Sequence, residues 1–195
     1  PNAVTLLCIL KACGSIGAIE KGQEMHTEIV RKGLLETHFI LGNSLVDMYA
    51  KCGLFIEAKQ SLDMLPNQNV VAWTALIAGY AEHGHTKEAL RCFEEMQSRG
   101  IQPDERTFTS VLSACCHGGN IEYGLMVFKA MQNEYGITPC IEHVNCIVDL
   151  LARGGWLDEA KALIRRMPHL PDITGWRSLL TSSSKFGHQM LGNDC

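Results

Sequence analysis

Apolar residues along this chain recur at helical rather than strand spacing. Leu76, Ile77 and Tyr80 share one helix face, and Ala89, Phe93 and Met96 share a face of the next helix; steps of three and four bring such positions together once per turn. A glycine followed five residues later by Gly or Ala occurs as Gly17/Gly22, Gly53/Ala58, Gly84/Ala89, Gly119/Gly124 and Gly155/Ala160, and Gly187 lacks the second member. These six glycines lie 36, 31, 35, 36 and 32 residues apart. Apolar pairs precede them in register: Ile9-Leu10, Leu45-Val46, Leu76-Ile77, Val111-Leu112, Ile147-Val148 and Leu179-Leu180. Ile29, Leu65, Met96, Met131 and Met167 each stand twelve residues after one.

Each period reads as two amphipathic helices. The marker glycine ends the first, where a left-handed backbone costs glycine little, and the small residue opens the second, where it admits a close neighbour. One hairpin of this size cannot cover its own apolar face, whereas a stack of them can. The expected fold is all-α, a right-handed α-solenoid of stacked helix-turn-helix repeats, with first helices on the concave face and second helices on the convex one.

The residues inside the period narrow the choice of repeat. Asn69-Val-Val-Ala-Trp-Thr-Ala-Leu-Ile-Ala-Gly-Tyr-Ala81 is followed by Gly84, Glu88-Ala89, Phe93-Glu-Glu-Met96 and Gly100-Ile-Gln-Pro-Asp104. Together they resemble a pentatricopeptide repeat; the related tetratricopeptide repeat keeps a uniform period of about 34 residues. The alternating lengths resemble the long, short and standard motifs of the plant organellar class known as PLS. Leu45-Val-Asp-Met-Tyr-Ala-Lys-Cys-Gly53 is similar to its short motif. Ile141 to Gly155 and Trp176-Arg-Ser-Leu-Leu180 are similar to its last short motif and to the start of the C-terminal E-type extension. The short units pass through Leu65-Pro66 and Met167-Pro168, so their missing residues come from the loop after the second helix. The resemblance covers residues 1–187 and implies units 3–38, 39–69, 70–104, 105–140 and 141–172, a partial unit 173–187, and an unassigned tail 188–195. A chain that opens on Pro1 reads as a fragment or processed form.

Pentatricopeptide repeats read one base each with two or three side chains. The resemblance assigns this role to the fifth and last residues of a unit: Asn43 with Asn69, Thr74 with Asp104, Thr109 with Cys140, and Asn145 with Asp172. A terminal Asp only accepts, matching the N–H of uracil N3 or guanine N1; a terminal Asn can also donate, matching the bare ring nitrogen of cytosine or adenine. The family's usage, with Asn at the fifth place preferring pyrimidines and Thr purines, implies cytosine, guanine, an unresolved base and uracil, with the N-terminus toward the RNA 5′ side. Leu7 with His38 offers no polar fifth residue, and Cys140 departs from a clean reader. Apolar second residues, Ile40 and Val71, are the implied wedges between bases; Arg106, Glu142 and Thr174 fit that role poorly. Asn, Thr and Asp beside a helix start also serve as caps.

Charge then modifies the picture. Seventeen basic residues against 21 acidic ones give a net −4, so nothing global advertises nucleic-acid binding. Lys51, Arg153 and Lys185, two residues before their marker glycines, are the cations placed to meet phosphates. Most glutamates (Glu57, Glu88, Glu94, Glu95, Glu122, Glu159) fall on second helices, away from that face. So thin a cationic groove implies weak binding by this chain alone.

Other chemistry is excluded or unsupported. The longest apolar run, Leu6 to Leu10, is far below the roughly 20 residues of a membrane span. Nine cysteines form no C-x-x-C pair, and Leu7-Cys8-Ile9 and Cys146-Ile147-Val148 suggest buried free thiols in a reducing compartment rather than a disulfide framework. Zinc cytidine deaminases carry H-x-E and P-C-x-x-C signatures; His26-Thr27-Glu28 matches the first by coincidence, and Pro139-Cys140 has its next cysteine at Cys146, too far for the pair. His83-Gly84-His85 and Cys115-Cys116-His117 supply no four-ligand set. No phosphate-binding loop, nucleophile elbow or metalloprotease motif occurs. Trp73, Trp156 and Trp176 form no series through every unit and read as packing. The expectation is a non-enzyme with no metal and no cofactor. The resemblance implies single-stranded organellar RNA as its partner and, alongside, editing-complex proteins or a deaminase acting in trans. It implies a role as the specificity part of an RNA editing (C-to-U) or processing factor, in mitochondrion or chloroplast, with no membrane partner. The rival reading is a tetratricopeptide-like scaffold that binds protein in the same groove.

Overall fold

The computed structural model describes residues 2–166; Met167, Asp172, Trp176, Lys185, Gly187 and the tail lie outside them. The chain divides into two compact units, Pro1–Pro103 and Asp104–Cys195. The first carries α1 (Ala3–Ile16), α2 (Ile19–Arg31), a one-turn α3 (Leu34–Thr37), α4 (Phe39–Lys51), α5 (Phe55–Asp63), α6 (Val70–Glu82) and α7 (Thr86–Ser98). The second carries α8 (Glu105–Gly118), α9 (Ile121–Asn133), α10 (Ile141–Arg153) and α11 (Leu157–Arg166). The described residues contain no strand, and the architecture is a repeat solenoid of helical hairpins.

Within each unit a hairpin packs on itself and on the first helix of the next hairpin of that unit. In the first unit α1, α4 and α6 pack in succession, α2 leans on α4 and α5 on α6; in the second, α8 packs on α10 and α9 on α10. The in-register apolar residues make this core. Leu10, Leu45, Val46, Leu76, Ile77, Val111, Leu112, Ile147 and Val148 are buried, as are Ile29, Leu65, Met96 and Met131. A buried aliphatic side chain contributes about 1.5–3 kcal/mol, so the repeated pattern is also the main source of cohesion.

The marker glycines end first helices as expected: Gly17, Gly53, Gly84, Gly119 and Gly155 all have φ between 65° and 81°. The small residue after each is buried, and at Gly22 an added Cβ would stand 2.6 Å from Met48 Sδ. Gly33, Gly100 and Gly136 bend the longer connections with positive φ as well. The sequence pattern contains no signal for α3, which fills the connection from α2 to α4.

Candidate functional site

The first helices begin at Ala3, Phe39, Val70, Glu105 and Ile141, and the residue before each start is where the helix's first N–H groups need partners. Asn2 caps α1 through Thr5 N–H at 2.8 Å. Asn69 Oδ1 accepts from the N–H groups of Val71 and Ala72, at 3.0 and 3.2 Å. Asp104 Oδ1 accepts from Thr107 N–H and Oγ1–H, both at 2.8 Å, and its own N–H donates to Thr107 Oγ1. Asn69 and Asp104, expected to close their repeats, are therefore helix caps. Each also keeps a polar atom out of the cap: Nδ2 of Asn69 and Oδ2 of Asp104.

At Asn69 that spare atom is used. Asn69 Nδ2 donates to Asn43 Oδ1 at 3.1 Å, so the fifth residue of one helix and the cap of the next meet side chain to side chain. Asn43 is 8% exposed, held on α4 among Leu41, Leu45 and Val46. The bond occupies its carbonyl and leaves its amide N–H groups without a partner among the described residues. Thr74 is half-buried on α6 in the first unit, while Asp104 starts the second. Thr109 is half-buried on α8, its hydroxyl donating to Glu105 O at 3.1 Å. Asn145 is half-buried on α10; its partner Asp172 lies outside the described residues.

The second residues of the first unit's leading helices form an exposed apolar series. Ile40 is 51% and Val71 55% exposed, and Val4, which sequence reasoning left out, is 67% exposed at the same place in α1. Exposure, not type alone, marks them. Arg106 and Glu142 are exposed at the corresponding places of α8 and α10.

Lys51 and Arg153 are exposed, but neither cation is unengaged. Lys51 Nζ lies 2.8 Å from Asp47 Oδ2, and Arg153 Nε lies 2.8 Å from Asp149 Oδ2. Both pairs span one helical turn and are worth only about 0.3–0.5 kcal/mol each, so a phosphate can compete for either cation. Asp149 is also the acceptor for the Cys116 thiol at 2.7 Å. Glu95 on α7 holds Lys59 at 2.8 Å and Arg99, and those two cations cover the buried Trp73 ring at 4.3 and 5.2 Å.

The thiols divide by place. Cys13, Cys92, Cys115 and Cys116 are buried and free. Burial pushes Cys92 and Cys146 up to about 11 and Cys115 and Cys116 up to about 12, so these are inert thiols at neutral pH. Cys8 contradicts its apolar setting and is exposed, because neighbours in sequence point to other faces of a helix. In His26-Thr27-Glu28, His26 Nδ1 is 2.9 Å from Tyr49 Oη, and hydrogen bonds from Lys32 and Arg31 draw Glu28 down to about 2; the triplet is packing and surface pairing.

One cluster has no counterpart in the sequence reading. Glu105, Cys140 and His143 bring a carboxylate oxygen, a sulfur and a ring nitrogen within 4.8 Å of one another. Glu105 starts α8 and Cys140 caps α10, 35 residues apart, so spacing along the chain hides them.

Comparison with known proteins now bears on this arrangement. Residues 68–117 match the model of the PPR repeat family, and residues 43–70, 106–135 and 142–170 match the PPR repeat model. The chain belongs to the pentatricopeptide repeat family. It is 46% identical over 194 residues to the pentatricopeptide repeat-containing protein At5g66520 of Arabidopsis thaliana, covering 100% of this chain and 31% of that protein. It is 44% identical over 180 residues to the chloroplastic protein DOT4 of the same plant, covering 92% and 21%. The chain thus spans about a fifth to a third of these relatives' length. Among solved structures it resembles the maize pentatricopeptide repeat protein PPR10 in complex with an 18-nt psaJ RNA element, with a TM-score of 0.74, 20% identity, and coverage of 95% of this chain and 28% of that one. It also resembles the PPR domain of Arabidopsis thaliana protein-only RNase P 1 in complex with tRNA, with a TM-score of 0.63, 19% identity, and coverage of 76% and 82%. At these identities the likeness is one of fold. Pentatricopeptide helices occupy the described residues, and no separate catalytic domain is apparent among them.

Proposed function

We propose that this chain binds single-stranded RNA, one base per repeat, as part of the address-reading array of an organellar RNA editing or processing factor of the PLS class. The observation that carries this reading is the Asn43–Asn69 hydrogen bond of 3.1 Å. It joins two side chains that the family pattern pairs for base reading, and it leaves donor N–H groups for a base that offers acceptors. Cytosine, with its bare N3 and its O2, is such a base. The exposed series Val4, Ile40 and Val71 supports the same reading, since apolar side chains at one place in successive repeats suit the flat faces of unpaired bases.

On this reading Thr74 with Asp104 takes guanine, Thr109 with Cys140 an unspecified base, and Asn145 with Asp172 uracil. Lys51, Arg153 and Lys185 contribute phosphate contacts, the first two by exchange from Asp47 and Asp149. The matched relatives include proteins named chloroplastic and mitochondrial, which supports an organellar setting. Editing-complex proteins or a deaminase in trans complete the proposed assembly.

The test is a base swap. Thr74→Asn is expected to move preference at one RNA position from guanine toward uracil by about tenfold, the scale of one misread base. Binding of four RNAs that differ only at that position reads it out. Preference unchanged across all four removes the reader assignment, and strong binding of a peptide but no RNA replaces it with a protein scaffold.

A further inference from the structure

The Glu105, Cys140 and His143 cluster has the chemistry of a metal site. His143 is fully buried. Its Nε2 lies 2.8 Å from Glu105 O, and a carbonyl oxygen only accepts, so the ring proton sits on Nε2. Nδ1 therefore presents its lone pair toward Cys140, accepting that residue's backbone N–H at 3.2 Å and standing 3.1 Å from Sγ. A backbone carbonyl that fixes the tautomer and ring orientation is the usual second partner of a metal-binding histidine.

We propose that Glu105, Cys140 and His143 bind a zinc ion, linking the start of α8 to the start of α10. Thiolate, imidazole and carboxylate together are a zinc donor set. Sulfur at about 2.3 Å and nitrogen at about 2.0 Å from zinc stand roughly 3.5 Å apart in a tetrahedral array, so the present 3.1 Å separation needs only a few tenths of an ångström of adjustment. Glu105 is exposed and opens a path from solvent, while His143 closes the inner side.

Charge favours the ion. The Glu105 and Glu142 carboxylates lie within hydrogen-bonding reach of the Cys140 side chain, so a zinc ion that takes the place of the thiol proton sits beside two negative charges that stabilise it. The two helix N-termini carry about half a positive charge each and oppose a cation; the full charges of Glu105, Glu142 and the thiolate outweigh them.

Occupancy withdraws Cys140 from any base-edge contact, which on the RNA reading makes the Thr109–Cys140 slot metal-dependent. The metal test is made without RNA, so the two ideas fail separately. The metal-free chain is titrated with cobalt(II) as a spectroscopic probe and with zinc(II) in competition with a chromophoric chelator. One equivalent should bind with a thiolate-to-cobalt charge-transfer band. Cys140→Ser should abolish the band, Glu105→Gln should weaken zinc binding about tenfold or more, and Cys8→Ser should change neither, all with unaltered helical circular dichroism. Absence of the band, or a band that survives Cys140→Ser, overturns the site.

Discussion

His26 illustrates how much a side chain's surroundings decide. In sequence it belongs to a triplet that mimics a catalytic motif; in the fold it sits half-buried against Tyr49. Burial lowers its pKa from 6.5. The unfolded chain therefore takes up this proton at a higher pH than the folded chain does. Stability contributed here is present above 6.5 and declines as pH falls through the lowered folded value. Denaturant midpoints at about pH 7.5 and about pH 5.5 should fall less on acidification for His26→Gln than for the native chain; equal falls would take His26 out of the account. The residue roles were legible where an interaction is local. Asp104 beside Thr107 could be recognised as a cap from sequence, whereas Asn43 to Asn69 spans 26 residues and could be paired only through the repeat. Glu105 with Cys140 has no repeat-based signal at all.

At the scale of helices, nearly everything visible in the structure follows from periodicity. The glycine after each first helix, the small residue after it and the apolar pair before it correspond to a turn, a close contact and a buried stripe. What periodicity misses is a departure from it: α3 in the connection after α2, and the exposure of Cys8 on α1. Gly79 shows a packing demand more directly. A Cβ there would meet Ala50 Cβ at 2.6 Å and Ala50 backbone at 3.1 Å, so α4 and α6 approach at that point by virtue of a missing side chain. Helix propensity alone would favour Gly79→Ala by about 1 kcal/mol, and overpacking opposes it by about 1–3 kcal/mol. The expected outcome in chemical denaturation is a net loss of stability. A gain would mean that the two helices separate at little cost.

Across the whole molecule, charge sets the terms of any encounter with a polyanion. A net −4 offers no long-range attraction, and the leading cations of α4 and α10 are each tied to a carboxylate one turn back. RNA affinity should therefore be modest and fall with salt, with a logarithmic slope of about −0.7 for every phosphate contacted. Replacing both Asp47 and Asp149 by Asn releases the two cations and leaves an acceptor for the Cys116 thiol. It should raise affinity about twofold to fivefold, the equivalent of roughly 0.4–1 kcal/mol, and steepen the slope. An unchanged affinity would place the phosphates elsewhere.

The double duty of Asn69 and Asp104 has a consequence for how such a protein can change. Asn69 holds the opening turn of α6 with Oδ1 and bonds Asn43 with Nδ2, and Asp104 holds that of α8 with Oδ1 while its Oδ2 stays out of the cap. An apolar replacement costs about 1 kcal/mol of helix stability whatever the ligand. Drift at these sites is thus confined to short polar side chains; if they read bases as proposed, a lineage exploring new targets would do so with a vocabulary already limited by folding.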